Sequence, residues 1–221
     1  MDALADWSEA LQGLTPLLDW RDVPLDVASL AALAAGLGWA SGLRLYALVF
    51  ALGALERFGG VQLPGGLEVL AHPVVLGLSG FMLVAEFFAD KLPWLDSLWD
   101  AVHTFIRIPA GAALAAAVMG DQSGAMQVAA GLAGGTLAAG THFAKAGARA
   151  AINTSPEPLS NVTTSLGEDA MFAGGLWMLL HHPLWFLVAL VVFVLLAGVL
   201  IVLLWRFIGR LFRPRPRPGV P

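Results

Sequence analysis

The stretch LWFLVALVVFVLLAGVLIVLLW, Leu184 to Trp205, runs for 22 residues without a charge. About 20 apolar residues in helical rise span the ~30 Å hydrocarbon layer of a bilayer. This segment therefore predicts a transmembrane helix. Directly after it come Arg206, Arg210, Arg213, Arg215 and Arg217, with no acid among residues 206–217. Basic residues beside a span stay in the cytoplasm, so the arginines predict a cytoplasmic C-terminus.

Working outward, five further apolar segments precede it, at about 29–55, 69–89, 95–119, 124–152 and 166–181. The whole chain has 221 residues, 58% hydrophobic and 13% charged, with a mean hydropathy of +0.76. Soluble domains carry roughly a quarter charged residues, so a soluble enzyme and a disordered chain are both excluded. Net charge is −4, which argues against nucleic-acid binding. There is no cysteine, which excludes disulfides and thiolate chemistry. The expected fold is an all-α, polytopic transmembrane helix bundle of about six spans (27–212). An acidic amphipathic segment (1–26) precedes it, and a Pro/Arg-rich tail (213–221) follows. With six spans the N-terminus is cytoplasmic as well. Trp20, Trp94 and Trp205 fall at predicted interfaces, where tryptophans concentrate.

An internal echo relates Ala40-Ser41-Gly42-Leu43-Arg44 to Ala138-Ala139-Gly140-Thr141-His142. Three spans per half would make this an inverted repeat, as in some transporters. A second echo, His72-Pro73 against His182-Pro183, pairs segments that run in the same direction and conflicts with the first. Proline suits the first turn of a helix, which accounts for both His-Pro pairs.

Ten acids and six bases lie between the charged ends. Asp96, Asp100, His103 and Arg107 are spaced 4, 3 and 4, one face of a helix. His142, Lys145, Arg149 and Asn153 are spaced 3, 4 and 4, again one face. Glu86 and Asp90 make a further i, i+4 pair, with Lys91 beside them. An ionised group facing lipid costs at least ~2.5–3.5 kcal/mol near the bilayer centre. The acidic and basic faces should therefore turn towards one another, giving a charged, cytoplasm-facing cavity between segments two, three and four. The competing reading is that the same charges are ion-pair glue between helices. Arg44, near the middle of its span, needs a buried partner, and Glu86 is one. Ser165 three residues before Glu168 fits a capping box opening segment five, with Asp169 favouring the same terminus. The free N–H groups of that terminus, with Lys145 and Arg149, form a conceivable anion site. Glu157 sits in the preceding proline-stiffened loop. Asp96, Asp100 and His103 with Glu86 or Asp90 have the donor types for a hard divalent cation, but Arg107 on the same face counts against it. Among nearby glycines, Gly131, Gly134, Gly135 and Gly140 predict close helix packing.

The runs EFFADKLPWLDSLWD (86–100) and RIPAG (107–111) resemble a bacterial membrane family, the domain-of-unknown-function 4126 family. So do KAGAR (145–149), NTSPEP (153–158) and SLGED (165–169). The resemblance covers about residues 27–210. It implies a multi-pass protein of a bacterial inner membrane and selects the same polar stripes, but no activity or cofactor. It also implies an Asn-Pro pair after the first span's glycine, where this chain has Arg44-Leu45. Three functions stay open. The first is a small transporter or channel-like permease for a solute or ion. The second is an embedded enzyme acting on a phosphate-bearing lipid. The third is a structural or lipid-organising protein. Membrane lipid is the expected partner, and an oligomer is compatible with the sequence.

Overall fold

The computed structural model describes residues 26–153 and 158–211. The amphipathic N-terminal segment, Glu157 and the Pro/Arg tail lie outside the described residues. Those described are all-helical: α1 (Val27–Gly59), a 3₁₀ helix (Gly65–Ala71), α2 (Pro73–Ala89), α3 (Pro93–Val118), α4 (Gly124–Ile152), α5 (Pro158–His181) and α6 (Pro183–Leu211).

Helix boundaries follow from capping chemistry. Asp26 caps α1, its carboxylate accepting from Ser29 N–H at 2.8 Å. These Ser29 hydrogen bonds hold the Asp26 carboxyl below the usual carboxylate range. α1 stops at Gly60, whose φ of 66° is open to glycine and whose N–H returns to Leu55 O. Four helices, α2, α3, α5 and α6, begin at a proline, which lacks the N–H that a first turn leaves unused. His72 adds a side-chain cap, its Nδ1 accepting from Val74 N–H at 3.3 Å.

Among the described residues, three helices are long and apolar enough to cross a membrane: Val27–Gly59, Trp94–Val118 and Pro183–Arg206. The 3₁₀ helix and α2, bent by 73°, make a fourth if counted as one broken span. These apolar helices suit a membrane. The outer surface fits that: Leu195, Leu196 and Val199 of α6, and Phe81 and Val84 of α2, all stand exposed. Trp94 and Trp205 are exposed too, at the start of α3 and towards the end of α6.

α1 is the axis of the molecule and packs against every other described helix, while α3 and α4 form the most extensive pair. Small residues make these approaches possible. A Cβ on Gly38 would lie 2.6 Å from Gly134 Cα, at the α1–α4 crossing. Gly140, by contrast, has open space around it, so its place in the sequence echo is not a packing one. Gly38→Ala should therefore lower stability by about 1–3 kcal/mol through overpacking, while Gly140→Ala should leave it unchanged. Thermal unfolding in detergent, followed by size-exclusion, reads both.

One segment starts earlier than its apolar pattern suggests. α5 begins at Pro158, about two turns before Ser165. Ser165, Glu168 and Asp169 are therefore mid-helix, and the capping box and the anion site at that terminus are overturned. Proline at 158 sets the first turn, and the polar run from Ser160 to Thr164 continues it as helix.

Candidate functional site

α1 is not continuous. Arg44, one residue past its midpoint, leaves helical geometry with φ −146° and ψ 72°. The break is not caused by proline, since Leu45 follows. It turns the guanidinium into the packed centre, where Arg44 is 1% exposed. One of its nitrogens lies 2.5 Å from Asp90 Oδ2 and the other 2.8 Å from Asp169 Oδ1. The second also donates to Ser165 Oγ and O, at 3.3 and 3.4 Å.

Around this break stand nine acidic, lysine and arginine side chains that are almost fully buried: Arg44, Glu86, Asp90, Asp96, Asp100, Arg107, Lys145, Arg149 and Glu168. Charge at such depth is tolerated only when paired, and the pairs fall into two sets. In the first, Arg149 grips Glu168 with two parallel bonds of 2.8 and 2.7 Å, the geometry that matches guanidinium to carboxylate. Its third nitrogen donates to Asp90 O at 2.9 Å and lies 4.0 Å from Asp96 Oδ1. Asp96 Oδ2 accepts from Asn153 Nδ2 at 3.0 Å. Lys145 is held more loosely. Asp90, Glu168 and the Leu43 carbonyl, next to the break, each lie 3.5 Å from its ammonium, beyond the usual 2.7–3.2 Å for such bonds.

In the second set Arg107 lies between two carboxylates. One nitrogen donates to Glu86 Oε1 at 2.5 Å and the other to Asp100 Oδ1 at 3.0 Å. The same nitrogen that meets Asp100 lies 3.4 Å from His142 Nδ1. Thr104 Oγ1 donates to Asp100 O at 3.0 Å and lies 2.7 Å from His142 Nε2. Arg107 has only donors, and the single Thr104 hydroxyl proton is committed to a carbonyl. His142 is thereby assigned as the neutral ring with its proton on Nε2. His103 Nδ1 donates to Trp99 O at 2.7 Å, and its Nε2 lies 3.0 Å from Tyr46 OH.

Of the residues singled out from the sequence, the structure brings together Arg44, Glu86, Asp90, Asp96, Asp100, His103, Arg107, His142, Lys145, Arg149, Asn153, Glu168 and Asp169. Lys91 stands apart. Its ammonium donates to Phe87 O at 2.9 Å and lies over the Phe87 ring at 3.1 Å. Partial desolvation pushes it below the usual lysine range, with nearby Asp169 opposing. One expectation is corrected. Glu86 is the partner of Arg107, and Arg44 takes Asp90 and Asp169 instead. The facing stripes meet in an array of ion pairs. Missed from the sequence were the break itself, Tyr46, Thr104 and Ser41, whose Oγ donates to Arg107 O at 2.9 Å. Thr104 had a signal, since it is four residues from Asp100 and beside the same face.

A cleft of about 470 Å³ does reach the array, from another side. It lies between α4, α5 and α6, and its walls are mostly apolar, including Ala144, Met171, Phe193 and Leu200. Thr141, Lys145, Thr164 and Glu168 supply its polar contacts, and Leu43 lines it immediately before the break. Among the described residues, no group of three or more His, Asp or Glu side chains is placed to hold a metal ion. Asp96 and Asp100 in particular belong to different ion-pair sets.

The sequence model of a family described as Domain of unknown function (DUF4126) matches residues 31–204. No curated protein and no solved structure matches the chain.

Proposed function

The chain belongs to the domain-of-unknown-function 4126 family, and we propose that it is a small membrane permease that moves a polar solute or ion past the break in α1. The observation that carries this reading is the cleft ending on Lys145, Glu168 and Leu43, beside Arg44. Irregular backbone at membrane depth is tolerated where it is buried in protein or lines a cavity, and discontinuous helices hold substrates in several transporters. Lys145, with three partners all at 3.5 Å, is the cation most available to a passing ligand.

In this reading α4 and α5 also cross the membrane, shielded by their neighbours, which gives six spans with both termini cytoplasmic. α1 and α4 would be the equivalent helices of two inverted halves. Support for that is their direct crossing at Gly38 and Gly134. A thiol-specific reagent that cannot cross membranes should label Asp121→Cys from outside only. Labelling from the cytoplasmic side overturns the orientation.

A structural reading has its own support: each of the four buried cations has a carboxylate within 4.0 Å. The chain lacks cysteine, so single-cysteine probes separate the two. If Thr141→Cys and Thr164→Cys react with a charged, water-soluble thiol reagent, water reaches the cleft and the permease reading holds. Reaction with lipid-soluble maleimides alone means the cleft is filled by acyl chains, and the structural reading replaces it.

A further inference from the structure

The nine buried acidic, lysine and arginine groups do not balance. Five are carboxyls (Glu86, Asp90, Asp96, Asp100, Glu168) and four are cations (Arg44, Arg107, Lys145, Arg149). Asp169, 39% exposed, stands at the rim. The first set is even: Asp90, Asp96 and Glu168 against Arg44, Lys145 and Arg149. The surplus carboxyl is in the second set, where Glu86 and Asp100 share Arg107 alone.

Each of these two carboxyls uses one oxygen on Arg107. Glu86 Oε2, Asp100 Oδ2 and Arg107 Nε are buried without a hydrogen-bond partner. Glu86 is 0% exposed and Asp100 is 3% exposed. Two carboxylates on one guanidinium at this depth leave a whole negative charge uncompensated, which a low-dielectric interior does not sustain.

Among the described residues, no other group supplies the missing charge. From α4, His142 is held neutral by Thr104 and Arg107, and Lys145 is engaged with Asp90 and Glu168. From α1, Tyr46 is neutral and bonded to His103, and Arg44 is paired with Asp90 and Asp169. From α3, His103 is committed to Trp99 O and Tyr46. On its own helix and just past its end, Glu86 has Asp90, a like charge, and Lys91, which is turned onto Phe87.

We infer that Glu86, Arg107 and Asp100 form a proton-binding site, in which the two carboxyls share one exchangeable proton over a single guanidinium. The proton binds a carboxylate oxygen and leaves as hydronium or to a water-borne base, so charge balances without any further cofactor. Its use as the coupling ion of transport rests on the permease reading. The site itself does not.

Infrared spectroscopy of the whole protein in lipid vesicles tests it. At neutral pH the wild type should show a protonated-carboxyl C=O band that shifts in D₂O and bleaches as pH rises. Glu86→Gln and Asp100→Asn should each abolish it, because one carboxylate then remains for one arginine and ionises. Asp169→Asn should leave it in place. A wild-type spectrum without the band, or a band that survives both Glu86→Gln and Asp100→Asn, overturns the site. The wild-type titration stands even if a variant fails to fold. A band that behaves as expected while Thr141→Cys rejects polar reagents keeps the proton site and removes the permease.

Discussion

Arg107→Leu should be the most damaging single substitution in the described protein, lowering stability by about 3–5 kcal/mol. The reason lies in who remains. Glu86 and Asp100 have no other cation within 4.0 Å among the described residues, so the negative charge that the pair retains loses its only ionic partner. Protonating both rescues part of the loss, so the variant should be least unstable in acid, where the two carboxyls are neutral. Thermal unfolding of detergent-purified protein across a pH series measures this. A variant as stable as wild type at neutral pH would show that the second set is not a structural element at all.

Arg149→Leu is expected next, at about 3 kcal/mol. It removes the two-pronged grip on Glu168 and the bond to Asp90 O. Lys145 nevertheless stays 3.5 Å from both Glu168 and Asp90, which is why the loss should be smaller than at Arg107. Arg44→Leu should be milder again, since Asp90 keeps Lys145 and Arg149 within 4.0 Å. The double variant Arg149→Met with Glu168→Met should recover much of the Arg149→Leu loss, because a buried pair replaced by apolar side chains leaves no stranded charge. The order Arg107, Arg149, Arg44 is the test. An Arg44 variant worse than Arg107 contradicts the two-set division.

The membrane-suited helices and the convergence of the charged stripes were both readable from residue order, for one reason. In a chain with 13% charge, each internal ionisable group at helical spacing marks a face that must be covered. That logic brought Asp96, Asp100 and Arg107 to one side, and Lys145 and Arg149 to the other. It could not assign partners, because partner choice depends on helix rotation and depth. Glu86 and Asp90 are four residues apart, yet one goes to Arg107 and the other to Arg44. The break at Arg44 was hidden because no glycine or proline stands at 44 or 45 to signal it, and its cause is tertiary: the guanidinium must reach Asp90 and Asp169 at once. The early start of α5 was hidden because Ser165 and Glu168 have the spacing of a cap, while their actual use is to face Arg44 and Arg149.

The partners of Arg44 also impose an order on biosynthesis. Asp90 is made 46 residues after Arg44, and Glu168 and Asp169 more than 120 residues after it. When the ribosome has delivered only α1, this arginine has no carboxylate to meet, and its entry into lipid costs roughly 2.5–3.5 kcal/mol. α1 therefore cannot settle as an independent first span. It has to wait in the insertion machinery, or at the bilayer edge, until α2 brings Asp90, and its final seat closes only when α5 arrives. A helix that occupies the centre of the finished molecule is thus the first of the described helices to be translated and among the last to be secured.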